Sequence, residues 1–115
     1  MSGEPLLSSF HGQLARQFLL VQYTSRMAEK CAQLSEALQA GDVTAVQRFG
    51  HHYKGSGAGF GYPAITAAGA ALEQAALTAG AVDGAVREAA AALIALCERA
   101  QLAFPAREVR PGAST

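Results

Sequence analysis

Three short junctions cut this chain, and each long segment between them repeats apolar residues at helical spacing. Ala40-Gly41-Asp42 is the clearest. Gly41 suits the position just past a helix, where a left-handed backbone is wanted. Asp42 suits the N-cap of the next helix, where its carboxylate accepts from otherwise unpaired amides. Gly61-Tyr62-Pro63 is the second junction, with Pro63 at a first-turn position that needs no amide hydrogen. In the third, Gly80 stops one helix and Asp83 caps the next. The seams between the junctions run Met27, Cys31, Leu34, Leu38; then Ile65, Gly69, Leu72, Ala76, Ala79; then Val86, Ala90, Leu93, Cys97, Ala100, Phe104. No segment shows strand alternation with turn chemistry on both sides. Short connections favour antiparallel neighbours. The pattern therefore predicts an all-α fold, an antiparallel up-down-up-down four-helix bundle over about 22–39, 43–59, 64–79 and 83–104, with an additional N-terminal helix.

That additional helix is read from Phe10, Leu14 and Phe18 or Leu19, with Ser8 or Ser9 as its cap. Thr24 and Ser25 are candidate caps for a break, which favours two helices meeting at an angle over one helix through 9–39. Residues 1–8 are a lead-in, 9–104 the bundle, and 105–115 a polar, proline-bearing tail expected to be mobile. A chain of 115 residues is one domain with room for a real core. Nine Lys and Arg balance nine Asp and Glu, so a general nucleic-acid role has no electrostatic support. No apolar run approaches the roughly 20 residues of a membrane span. Met1 to Pro5 lacks the features of a signal peptide, so a cytoplasmic protein is expected. Cys31 and Cys97 each lie in an apolar seam and read as buried free thiols, in keeping with a reducing compartment. Without neighbouring ligands they make no zinc site.

One stretch carries chemistry: Gly50-His51-His52-Tyr53-Lys54-Gly55-Ser56-Gly57-Ala58-Gly59-Phe60-Gly61. On a helix at about 100° per residue, Val46, Phe49, Tyr53, Gly57 and Phe60 share the core side. His51 faces water, and Lys54, Gly55 and Ala58 follow it along one stripe. The face presents an imidazole, an ammonium and then almost no side chain, a reactive group on a platform that a macromolecule can approach. A neutral imidazole has a free lone pair able to attack phosphorus. Glycine within a helix costs about 1 kcal/mol relative to alanine. Gly57 fits close packing on the core side, and Gly55 fits clearance beside His51. His52, at the boundary of core and surface, reads as a half-buried histidine bonded to a neighbour. Adjacent helical residues do not face each other, so a metal site from His51, His52 and His11 ranks last, and no metal is assigned. The glycine run fails as a phosphate-binding loop, since no strand precedes it and Lys54 comes before it. Glu73 is a solvated residue of the following helix unless antiparallel packing points it at His51.

His51-His52-Tyr53-Lys54-Gly55-Ser56, then Gly61, then Leu72-Glu73, resembles the histidine-containing phosphotransfer (HPt) domain of two-component phosphorelays. The resemblance covers roughly residues 10–100 and includes Ala40-Gly41-Asp42. It implies that His51, three before the lysine, is the phosphorylated residue, that Lys54 helps neutralise the phosphoryl group, that Gly55 leaves room for the partner, and that Glu73 lies near the histidine. It implies a phosphocarrier, not an enzyme, with no cofactor of its own. Its partners would be response-regulator receiver domains, which bring the acceptor aspartate and Mg2+, and a sensor (hybrid) histidine kinase. Docking would use an apolar patch beside the histidine, here Phe10, Leu14 and Phe18 with His11 nearby, together with Gln47 and Ala58. The sequence departs from the family pattern in its second histidine and its extra glycines. A freestanding monomeric carrier is expected, the alanine-rich last helix being the face suited to self-association. The alternative is a helical docking module that binds receiver domains or other signalling proteins and carries no phosphoryl group.

Overall fold

The computed structural model describes residues 4–103, without the side chains of Leu14 and Ala15. It contains α1 (Leu14–Ser25), α2 (Met27–Ala40), α3 (Val43–Ser56), α4 (Pro63–Ala79) and α5 (Gly84–Leu102), with a 3-10 turn at Ala58–Phe60. Helices α2 to α5 form the four-helix bundle. Each packs on its sequence neighbour, α5 closes the ring against α2, and α3 and α4 are the closest pair. The short α1 packs on α2 and α5.

The junctions act as their chemistry demands. Asp42 Oδ1 accepts from the Ala45 amide at 3.1 Å, and Asp83 Oδ1 from the Val86 amide at 2.9 Å. Gly41 has a left-handed φ of 71°; its amide donates to the Leu38 carbonyl and that of Asp42 to Ala37, so α2 ends in a Schellman motif. Pro63 opens α4. Leu34, Val46, Tyr53, Ile65, Leu72 and Leu93 are among the buried side chains that form one core.

Three expectations need correction. The first helix begins at Leu14, because Ser8 does not cap it. The Ser8 hydroxyl donates to the Phe60 carbonyl and accepts from the Phe10 amide, tying the lead-in to the 3-10 turn. Thr24 and Ser25 do not cap α2 either. Their hydroxyls bond back to carbonyls of α1, Thr24 to Leu20 and Val21, Ser25 to Gln22, and the break falls at Arg26. Third, α3 stops at Ser56, short of Gly59, because the Ala58 amide donates across to Thr66 Oγ1 at 2.6 Å and the chain tightens into the 3-10 turn. The core side of α3 is as its spacing predicts: Val46 and Tyr53 are buried, Phe49 packs half-buried against the core, and Gly50 joins them, with Gly57 buried just beyond the helix. Phe104 and the expected tail at 105–115 lie outside the described residues.

Candidate functional site

The site begins with two glycines. Gly50 on α3 and Gly69 on α4 let the two backbones touch. A methyl group at Gly50 would sit 2.5 Å from the Glu73 amide nitrogen and 2.8 Å from the Gly69 carbonyl oxygen. One at Gly69 would strike the Lys54 amide. Gly57 is used the same way two turns on, where an added methyl would meet Thr66 N and the Tyr62 carbonyl. This approach carries Glu73 from α4 to the edge of α3, where His51 and Lys54 stand.

The three side chains then join. His51 Nδ1 lies 2.9 Å from Glu73 Oε2, and Lys54 Nζ lies 3.0 Å from Glu73 Oε1. The His51 side chain is 69% exposed and Glu73 only 13%. Lys54 is the main cause that holds the Glu73 carboxyl below its usual range, and His51 adds to it. A carboxylate in that state only accepts hydrogen bonds, so the neutral imidazole carries its proton on Nδ1. Nε2 keeps its lone pair and is turned away from Glu73. Gly55 follows on the surface with open space where a Cβ would be.

A family model for the Hpt domain matches residues 19–103. The chain belongs to the Hpt domain family. Searches of curated proteins and of solved structures found no match. An Hpt domain takes part in histidine phosphotransfer in two-component signalling and engages receiver domains or kinases.

Not every expected residue of this Hpt domain joins the cluster. His51, Lys54 and Glu73 do, with Gly55 beside them. Ala58 is exposed at the start of the 3-10 turn and Gln47 is half-buried on α3. Phe18 is exposed on α1, whereas Phe10 is half-buried with the Arg16 guanidinium 4.2 Å above its ring. His11 is exposed in the turn before α1, and the Leu14 side chain lies outside the described residues. His52 is more exposed than expected, and what it touches is the Tyr53 ring, edge-on at 4.8 Å; the burial it keeps at the edge of two clefts, and then Lys30, lower its pKa.

Spacing did not reveal what lies on the far side of His52. An open cleft of about 320 Å³ separates α1 and the start of α2 from α3. Leu19, Tyr23 and Phe60 give it apolar walls, the last two stacked at 4.1 Å, and Arg26, Lys30 and His52 line it as well. The Tyr23 hydroxyl meets that of Ser56 at 2.8 Å. Tyr53 and Phe60 share a helical period, but Tyr23 comes from another helix, so only the fold brings its ring against theirs. Among the described residues no helix is long and apolar enough to cross a membrane, and no three His, Cys, Asp or Glu side chains are grouped to hold a metal ion.

Proposed function

We propose that this domain is a phosphorelay intermediate. It accepts a phosphoryl group on His51 from the phosphoaspartate of a receiver domain, or from a histidine kinase, and passes it to a receiver aspartate. The observation that carries this reading is the His51–Glu73–Lys54 cluster, with one imidazole nitrogen engaged and the other open. In the transfer, the Nε2 lone pair of His51 attacks phosphorus in line with the aspartyl oxygen. The N–P bond forms, the P–O bond breaks, and the aspartate leaves as a carboxylate. The Nδ1 proton stays in place, facing Glu73, where positive charge develops on the ring. The Lys54 ammonium, one turn on, offsets the charge of the arriving phosphoryl oxygens. The receiver supplies the acidic pocket and its divalent ion, usually Mg2+, so the carrier needs no cofactor of its own.

An exposed histidine suits a group that two partners must reach in turn. Gly55 gives the partner clearance next to His51. We assign the docking surface to Phe18 and Leu19, both exposed, and to the adjoining cleft, in preference to Phe10, which Arg16 covers. The domain acts as a carrier, with catalysis shared with the partner.

The test is transfer from a labelled phospho-receiver to wild type, His51→Gln and His52→Gln side by side. Label that is acid-labile and alkali-stable, and lost only in His51→Gln, is the expected result. Loss only in His52→Gln would overturn the site, and no label from several donors would favour the docking module.

A further inference from the structure

The two cysteines, distant in sequence, meet across the α2–α5 interface. Cys97 is buried on α5 and Cys31 half-buried on α2, and both are free thiols. Cys31 lines a shallow surface cleft with Ile94, Glu98 and Gln101 of α5. Those residues stand three before, one after and four after Cys97, the positions that surround it on the helix. Cys31 therefore meets α5 at the turn that carries Cys97. Each thiol is the first cause of the other's shifted acidity, which agrees with side chains that lie next to one another. One thiol borders a cleft open to solvent and the other is sealed behind it, an attacking sulfur with a resolving sulfur in reserve.

We propose that Cys31 and Cys97 form a reversible intramolecular disulfide when the protein meets a hydroperoxide, Cys31 reacting first and Cys97 resolving. The Cys31 thiolate sulfur attacks the terminal peroxide oxygen. The O–O bond breaks, Cys31 becomes a sulfenic acid, and the remainder leaves as water or an alcohol after taking up a proton. The Cys97 sulfur then attacks the Cys31 sulfur. The S–S bond forms, the S–O bond breaks, and the released hydroxide takes the Cys97 proton and leaves as water. Two thiols have lost two electrons and the hydroperoxide has gained them. The direction agrees with the acidities: the contact with Cys97 lowers the Cys31 pKa, while that contact and burial push Cys97 up. The nearby Glu98 charge works against thiolate formation at both, by less than the thiol–thiol contact. A dithiol reductant returns the reduced pair.

The experiment is intact-mass analysis of the full reduced chain after hydrogen peroxide, followed by alkylation under denaturing conditions. The expected product is lighter by about 2 Da and takes up no alkyl group, and dithiothreitol restores two alkylatable thiols. Cys97→Ser should instead give a sulfenic acid on Cys31 that dimedone traps. Two alkylatable thiols after peroxide, a stable gain of oxygen on the wild-type chain, or a disulfide between chains would each overturn the proposal. The wild-type result decides the matter even if a serine variant folds poorly, and none of these readouts depends on phosphoryl transfer.

Discussion

Glu73 holds the site together because its two oxygens are divided between two partners, Oε2 to His51 and Oε1 to Lys54. Glu73→Gln keeps the shape and removes the charge. Acceptance of phosphoryl by His51 should slow by on the order of tenfold, less than the loss of a buried donor costs, because water reaches this site. A second consequence is pH-dependent. The folded-state pKa of Glu73 lies below its ordinary 4.5. Its contribution to stability is therefore complete above 4.5 and is lost as pH falls through the depressed folded value. Urea midpoints of wild type and Glu73→Gln should differ at pH 6 and converge on acidification; a gap that widens in acid would reverse the sign. His52 offers a separate check. Burial is the first cause of its lowered pKa and Lys30 the second. Lys30→Ala should raise the His52 pKa, read by NMR titration of its ring protons, yet leave it below 6.5 because the burial remains.

Helices α3 and α4 position that carboxylate through glycine, and the glycines of α3 divide by what surrounds them. Gly50 faces backbone and Gly55 faces open space. Gly50→Ala, like Gly69→Ala, should destabilise the fold by about 1–3 kcal/mol as the helices separate, overriding the helix preference of alanine. It should also impair labelling of His51 by moving Glu73 away. Gly55→Ala should stabilise by about 0.5–1 kcal/mol and still slow transfer with a receiver, since the added methyl stands where the partner approaches. Thermal melts paired with transfer assays separate the two classes. This division also explains what could be read from the chain beforehand. The bundle was legible because its seams and its Gly41, Asp42, Pro63, Gly80 and Asp83 punctuation act locally. The start of α1 and the end of α3 were misplaced because Ser8–Phe60 and Ala58–Thr66 bonds, between distant residues, decide them. His51 and Lys54 shared a visible stripe. The position of Glu73 depends on which glycine of α3 meets Gly69 of α4, which helical spacing does not give; the Leu72-Glu73 pair of the Hpt pattern was the signal that pointed to it. Cys31 and Cys97 could not be paired without knowing that α5 closes on α2.

Over the whole molecule, formal charge sums to zero, yet its placement is uneven around the α2–α3 groove. Arg26, Lys30 and Arg48 all line the two clefts that share Lys30 and His52. None of the three forms a salt bridge among the described residues. Lys54 differs, being tied to Glu73. In the proposed relay the partner presents an acidic pocket to His51, so these free cations would attract it before contact and align it over the bare Gly55 surface. Exposed charges of this kind act mainly on encounter rates, and salt screens them over about 8–10 Å. Transfer from a phospho-receiver should therefore slow as ionic strength rises from about 50 to about 300 mM. Labelling by a small donor such as phosphoramidate, which needs no docking, should change far less. The Arg26→Ala, Lys30→Ala, Arg48→Ala triple variant should flatten the salt dependence of the first reaction and leave the second alone. Equal salt slopes in the triple variant and wild type would place recognition on the apolar walls, Leu19, Tyr23 and Phe60, and Leu19→Asp would then be the substitution that uncouples receiver transfer from small-donor labelling.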